Sequence, residues 1–145
     1  AVDDFVAQRT LALVGASRSG RKFGNTIYRE LRAKGYRVLA VHPQAGSIEG
    51  DSCWPTLAAL PEPVGGVVVV LPPAAARKVV QEAAAAGIPR VWLQQGSESP
   101  EAVDTARAAG LEVVSGHCLL MFVEPAGWFH RFHRTLWGWL GKLPE

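Results

Sequence analysis

The sequence predicts an α/β fold in which a mainly parallel, five-stranded sheet carries helices on both faces. Two features predict it. Short apolar runs alternate with longer segments of helical periodicity, and the continuous apolar run over residues 67–71 is typical of a strand buried on both faces. Such alternation is characteristic of a doubly wound, Rossmann-like domain with right-handed crossovers. A length of 145 residues favours a single domain, residues 1–145, with no second catalytic domain.

The individual elements follow from the same patterns. Apolar runs predict five strands, over residues 10–14, 36–41, 67–71, 90–93 and 111–114. Helical patterns that each end at a glycine predict three helices, over residues 23–34, 74–86 and 100–109. The segment between the second and third strands, residues 47–60, is less regular. It is expected to form turns followed by one or two helical turns near residues 56–60.

The last segment, residues 124–140, is predicted to be a helix rich in aromatic residues. Phe129, Phe132 and Leu136 recur at helical spacing, so one face is expected to pack on the domain. Basic residues alternate with these aromatics, and contact with a protein partner or a membrane surface is the alternative. His130 and His133 share one face, but two imidazoles without a third ligand do not predict a metal site.

Composition excludes several classes of protein. A net charge of +2 is too small for a general nucleic-acid binder, and 48% hydrophobic residues are too many for a disordered chain. The apolar runs are far too short to span a membrane. Two cysteines, Cys53 and Cys118, form neither a C-x-x-C motif nor a disulfide framework, so a cytoplasmic location is expected.

A glycine-rich loop follows the first predicted strand and precedes the first predicted helix. Backbone N–H groups of such a loop approach an anion closely, and the helix N-terminus attracts negative charge. Five of its residues are therefore predicted to bind a phosphate group: Gly15, Ala16, Ser17, Arg18 and Lys22. Basic residues continue along the helix to Arg37, where they are either a solvated face or further ligand contacts.

Three phosphate-binding templates compete for this loop. The P-loop requires Lys followed by Ser or Thr, whereas this chain has Arg21 and Lys22 at those positions. The dinucleotide fingerprint requires G-x-G-x-x-G and an acidic residue after the second strand. Here Ser17 replaces the second glycine, and His42-Pro43 stands where the acid belongs. The third template is a coenzyme A site.

The chain resembles a known family over about residues 5–124. The residues that carry the resemblance are Val14-Gly15-Ala16-Ser17, Val41-His42-Pro43, Ile48-Glu49-Gly50, the run 67–73, Gln94-Gln95-Gly96 and His117-Cys118-Leu119. Their order and spacing are similar to those of the coenzyme A-binding domain family, stand-alone proteins that resemble the N-terminal domain of the succinyl-CoA synthetase α subunit. One departure is Gly66, at a position where family members often carry Asp.

The resemblance implies that the ligand is coenzyme A or an acyl-CoA, held in a cleft at the carboxyl ends of the strands. Pro43 and Pro72 are expected to shape this cleft. Contacts after the fourth strand are implied for Gln94, Gln95 and Gly96, whose polar groups bond a phosphate or the pantetheine arm without adding charge.

No catalytic residue is predicted. His117 directly precedes Cys118, and neighbours in an extended chain point apart, so this pair is not an obvious base and nucleophile. The catalytic histidine of the related synthetases belongs to a further domain of those enzymes. Binding of coenzyme A without catalysis is therefore the first hypothesis. A small NAD(P)-binding oxidoreductase or redox-sensing protein is the second, and an interaction module that uses the aromatic tail is the third.

Overall fold

Seven strands form one sheet in the computed structural model, which describes residues 1–44 and 46–123. The order across the sheet is β3–β4–β2–β1–β5–β6–β7. In chain order the strands are β1 (Thr10–Val14), β2 (Arg37–Val41), β3 (Ser47–Ile48), β4 (Asp51–Trp54), β5 (Gly66–Val69), β6 (Arg90–Gln94) and β7 (Glu112–His117). The helices are α1 (Val2–Val6), α2 (Phe23–Ala33), α3 (Pro73–Ala85) and α4 (Pro100–Ala108), with 3-10 turns at Leu57–Ala59 and Leu119–Met121.

The predicted count of five strands is wrong, because an edge hairpin adds two. Strand β3 has two residues and pairs antiparallel with β4, which in turn pairs parallel with β2 through Cys53 and Trp54. Neither β3 nor β4 contains an apolar run, so these strands depend on pairing with their neighbours rather than on a local pattern. The sheet is consequently mixed, while all other neighbouring strands are parallel, as predicted.

Alternate residues of the central strands face two separate cores. Leu13 of β1 and Trp92 of β6 lie in one core with residues of α1 and α2. Val14 and Leu93, one residue further along the same strands, lie in the other core with residues of α3 and α4. Helices therefore cover both faces of the sheet, as the buried apolar strands predicted.

The unpredicted helix α1 packs against the start of β5. Gly66 has no space for a side chain, because a Cβ at this position would lie 2.6 Å from the ring of Phe5 in α1. That ring also makes an edge-on contact with Trp92, at 5.4 Å between ring centroids. The departure noted at Gly66 is thus explained by packing: an aspartate at this position would displace Phe5.

Strand order reverses between β1 and β5, because the chain passes from β1 to β2 on one side and later returns to β5 on the other. Open α/β sheets bind ligands at such a reversal, at the carboxyl ends of the strands. The predicted aromatic tail helix (residues 124–140), with His130 and His133, lies outside the described residues. Within the described ranges, no helix is both long enough and apolar enough to cross a membrane.

Candidate functional site

A cleft of about 530 Å³ lies at the carboxyl ends of β1, β2, β4 and β5, where the strand order reverses. The loop between β1 and α2, residues 15–22 (the β1–α2 loop), forms one wall, and α3 contributes the opposite one. The lining residues are Val14, Gly15, Ala16, Ser17, Lys22, Val41, His42, Pro43, Gln44, Pro55, Thr56, Leu71, Ala75, Lys78, Val79 and Glu82.

The start of the β1–α2 loop is packed too tightly for side chains at two positions. Gly15 has φ +129°, and a Cβ on it would overlap the carbonyl group of Val70. A Cβ on Gly24, in the first turn of α2, would overlap the carbonyl group of Gly15. These two glycines therefore let the N-terminus of α2 reach the end of β1, which is the arrangement that anion-binding loops use.

Asn25 holds the first part of the loop, at Ser17. Its fully buried side chain accepts a hydrogen bond from the Ser17 N–H at 2.9 Å and donates one to the Ser17 carbonyl at 2.9 Å. The Ser17 N–H is therefore already used, and an anion at this loop has to be held by neighbouring groups. Sequence reasoning gave Asn25 no role; the available signal was a polar residue in the first turn of a helix, directly after a glycine.

The cationic side chains of this region divide into two groups. Those along and after α2 are neutralised: Arg29, Arg32, Lys34 and Arg37 pair with Glu49, Asp51, Glu30 and Glu62, respectively. By contrast Arg18, Arg21 and Lys22 make no salt bridge with any residue in the described part of the chain. The solvated-face interpretation thus fits the α2 residues, and the uncompensated positive charge is concentrated at the β1–α2 loop.

Two lysines from different elements line the cleft. Lys22 stands at the N-terminus of α2, and Lys78 lies on α3. Arg18, which was predicted to bind phosphate, is not among the lining residues. Lys78 was not predicted, because nothing in the local sequence of α3 distinguishes it from an ordinary exposed lysine.

The wall formed by the other strand ends is mostly apolar. Pro43, Pro55 and Leu71 contribute to it, together with Val79 of α3. His42 Nδ1 accepts a hydrogen bond from the Gln44 N–H at 3.0 Å, which fixes the turn after β2. Pro43 thus lies on the cleft as expected, whereas Pro72 caps the start of α3 and is not part of the lining.

The three residues predicted after β6 do not line this cleft. Gln94 is buried, and its Oε1 accepts a hydrogen bond from the Leu119 N–H at 3.0 Å. Gln95 is exposed, and the Gly96 N–H donates to the Glu98 carboxylate at 2.8 Å. Gln94 therefore connects β6 to the turn after β7.

Both cysteines are partly buried. Burial raises the pKa of the Cys53 thiol, which disfavours the thiolate. Cys53 and Cys118 are not joined in a disulfide. Over residues 1–44 and 46–123, no group of three or more His, Cys, Asp or Glu side chains is placed to hold a metal ion.

A doubly wound sheet with a glycine-rich loop and a cleft at its strand-order reversal defines the chain as a Rossmann-like domain. Residues 9–124 match the profile of the family described as the CoA binding domain. The chain belongs to this CoA-binding domain family, and coenzyme A binding in general is what the family has in common.

Relatives include both small proteins and parts of large enzymes. The ADP-forming acetate–CoA ligase I of Archaeoglobus fulgidus is 39% identical over 56 residues, which are 39% of this chain and 8% of the ligase. The chain therefore matches only a small part of that enzyme. An acetyl-coenzyme A synthetase from Ca. Korarchaeum cryptofilum is similar at 27% identity and a TM-score of 0.66, over 73% of this chain and 25% of the synthetase.

Two solved structures of small proteins match almost over their full length. A conserved hypothetical protein of Pyrococcus furiosus has 40% identity and a TM-score of 0.73, over 77% of this chain and 97% of its own. A protein of Thermus thermophilus has 30% identity and a TM-score of 0.74, over 93% of this chain and 96% of its own. The fold thus occurs both alone and within CoA-using enzymes.

Proposed function

We propose that this protein binds coenzyme A or an acyl-CoA in the cleft at the carboxyl ends of β1, β2, β4 and β5, without catalysing a reaction of its own. The observation that carries the proposal is the division of this cleft into a cationic, glycine-rich end and an apolar wall. Coenzyme A has the same division, since its phosphate groups are anionic and its adenine and pantetheine arm are uncharged.

The phosphate end of the ligand is assigned to the β1–α2 loop. Gly15 and Gly24 bring backbone and helix N-terminus together there, and Lys22 adds a positive charge that no described acid neutralises. Because the Ser17 N–H is bonded to Asn25, the amides on either side of it and the Lys22 ammonium are the proposed donors. A charge-assisted hydrogen bond of this kind contributes about 1.5–3 kcal/mol.

The uncharged part of the ligand is assigned to the apolar wall. Pro43, Leu71 and Val79 offer surface without polar groups, and Thr56 adds a hydroxyl at the end of β4. A volume of about 530 Å³ is typical of small-molecule sites. The contacts predicted for Arg18, Pro72, Gln94, Gln95 and Gly96 stay predictions; as placed, they would require the ligand to extend beyond the cleft.

Binding without catalysis is part of the same proposal. The chain matches a quarter or less of the length of the large relatives. Most of each enzyme therefore lies outside the matched part, and we assign the chemistry for which these enzymes are named to that remainder. A cytoplasmic location and a protein partner that contacts the tail after residue 123 are also proposed, on the sequence alone.

Isothermal titration calorimetry of the purified protein tests the proposal, with coenzyme A, dephospho-coenzyme A, NADP and NAD as ligands. We expect saturable binding of coenzyme A, and weaker binding of dephospho-coenzyme A if the 3′-phosphate contacts a lysine. Saturable binding of NAD or NADP with no binding of coenzyme A would overturn the proposal in favour of a nucleotide-dependent oxidoreductase.

A further inference from the structure

Glu49 occupies an unfavourable backbone position in the turn between β3 and β4. Its φ is +53°, and it is the only non-glycine residue with positive φ among residues 1–44 and 46–123. Gly50, which follows it, has φ +81°. Two successive positive φ values are the geometry of a type I′ hairpin turn, where Asn, Asp or Gly is preferred at the first position. A glutamate here is therefore retained at a conformational cost.

The side chain of Glu49 turns away from the hairpin and towards α2. One carboxylate oxygen, Oε2, accepts hydrogen bonds from Asn25 Nδ2 and from Arg29 Nη1, each at 2.8 Å. The Glu49 side chain is 17% exposed and its bond to Asn25 is partly buried, whereas the Arg29 side chain at the other bond is 51% exposed. Glu49 thus joins the edge hairpin to two side chains of α2.

Both of these α2 side chains also hold the β1–α2 loop. Asn25 bonds the N–H and the carbonyl of Ser17, as described above, and Arg29 Nη1 lies 3.4 Å from the carbonyl of Gly20. The Glu49 carboxylate therefore contacts both of the side chains that hold this loop, Asn25 at Ser17 and Arg29 at Gly20. Arg29 also neutralises the carboxylate, which would otherwise repel a phosphate group bound at the loop.

We infer that Glu49 is a positioning residue for the anion-binding loop. It does not line the cleft and would not touch the ligand. It acts by orienting the Asn25 amide and the Arg29 guanidinium, which fix the loop backbone before ligand arrives. The inference rests on the proposed function, since it assumes that this loop binds the phosphate groups of coenzyme A.

A purely structural role and a positioning role predict different outcomes for Glu49→Gly. Glycine adopts φ +53° without strain, so this change removes the conformational cost while it deletes both hydrogen bonds. The melting temperature should therefore change little. Affinity for coenzyme A should fall about tenfold, because a loop that must be ordered on binding binds more weakly than one that is preorganised.

The experiment combines calorimetry with NMR on the full chain. Coenzyme A is titrated into the wild type, Glu49→Gly, Glu49→Gln and Glu62→Gln, and amide spectra are recorded without ligand. We expect Glu49→Gln, which keeps an acceptor but loses the charge that holds Arg29, to show an intermediate affinity. Glu62→Gln breaks a comparable salt bridge with Arg37 outside the cleft and should bind like the wild type.

In the ligand-free spectra, Glu49→Gly should shift or broaden the amide signals of residues 17–20 and 25 selectively. Unchanged loop signals together with unchanged affinity would overturn the inference, as would an affinity loss that merely follows a fall in melting temperature. If the wild type does not bind coenzyme A, the proposed function fails, and the NMR comparison alone decides whether Glu49 orders the loop.

Discussion

The Cα atom of Gly24 lies against the carbonyl group of Gly15, so close that a Cβ on Gly24 would overlap it. This contact joins the first turn of α2 to the end of β1. It sets how near the helix N-terminus comes to any anion held by the β1–α2 loop, and it leaves no space for the smallest side chain.

Gly24→Ala is expected to push α2 away from β1. The added methyl group meets backbone atoms, which cannot rotate aside as a side chain can, so we expect a loss of about 1–3 kcal/mol in the free energy of unfolding. Coenzyme A affinity should fall as well. Urea unfolding and calorimetry measure the two effects. Gly46→Ala is the matched control, since a Cβ at Gly46 meets nothing within 4 Å; equal effects of the two changes would contradict the packing argument.

Lys22→Ala should weaken binding of coenzyme A by about tenfold or more, because it removes a charge-assisted hydrogen bond. The neighbouring Arg21→Ala removes the same charge from a residue that does not line the cleft and should have a smaller effect. Titrations at low and high salt separate contact from general attraction. If both variants lose the same affinity, and salt abolishes the loss in each, Lys22 acts only through long-range charge.

Lys78 and Arg77 provide a second matched pair, on α3. Both are exposed, but Lys78 alone of the two lines the cleft. We expect Lys78→Ala to weaken coenzyme A binding severalfold, while Arg77→Ala leaves it unchanged, because only the former faces a bound anion. Comparison with dephospho-coenzyme A shows whether Lys78 contacts the 3′-phosphate: the ratio of the two affinities should then shrink in Lys78→Ala. An unaltered affinity for both ligands would remove Lys78 from the site.

Gln94→Leu should lower stability rather than affinity. The leucine leaves the buried N–H of Leu119 without its acceptor, at a cost of about 1–3 kcal/mol in the free energy of unfolding. The dissociation constant for coenzyme A should stay close to that of the wild type, since Gln94 does not line the cleft. Gln95→Leu, at an exposed position, should not lower stability. A large affinity loss in Gln94→Leu at unchanged stability would instead support the sequence-based prediction that Gln94 contacts the ligand.

Glu112→Gln tests a cluster at the opposite end of the sheet. Arg90 Nε lies 2.7 Å from Asp4 Oδ2 and 3.2 Å from Glu112 Oε2. A side-chain hydrogen bond with Asp4, then burial and the charge of Asp4, raise the pKa of Glu112 above its ordinary value. Ionisation of Glu112 therefore opposes folding: its contribution to stability is complete below the unfolded-state pKa and is lost as the pH rises through the raised folded-state pKa.

Glutamine keeps the hydrogen bond to Asp4 and carries no charge at any pH. We therefore expect the melting temperature of Glu112→Gln, relative to that of the wild type, to increase as the pH rises from about 4 to about 7. Asp104→Asn, at an exposed position of α4, should show no such trend. A difference that shrinks with rising pH would mean that Arg90 stabilises the ionised Glu112 more than Asp4 destabilises it.

The sequence predicted the central sheet well and its edge badly, for a physical reason. Strands β1, β2, β5, β6 and β7 bury apolar residues, and that burial is visible as local patterns. The β3–β4 hairpin contains polar residues such as Asp51 and Ser52. It is part of the sheet because β4 forms backbone hydrogen bonds with the edge of β2. Pairing with a distant segment leaves no local pattern to detect.

The candidate site divides in the same way. Gly15, Ser17 and Lys22 lie within one short loop after β1, so the rule for parallel sheets is enough to predict their place at the cleft. The places of Lys78 and Asn25 depend on how α3 and α2 are positioned relative to the strand ends. Helical periodicity indicates which face of a helix packs on the sheet, but it does not determine that position. Gln94 also lies at the end of a strand, but its side chain bonds Leu119 instead of reaching the cleft.

The contact between Phe5 and Gly66 links two positions that are 61 residues apart in the chain. A substitution at one position therefore requires a substitution at the other. A side chain at position 66 needs a smaller residue at position 5. Loss of the ring at position 5 leaves a cavity next to Trp92, which a larger residue at position 66 would fill. Homologous sequences should therefore show the two positions covarying, with glycine at 66 accompanying an aromatic residue at 5. Family members with aspartate at 66 should lack that aromatic residue, and so reveal from sequence alone which of them attach their N-terminal helix in a different way.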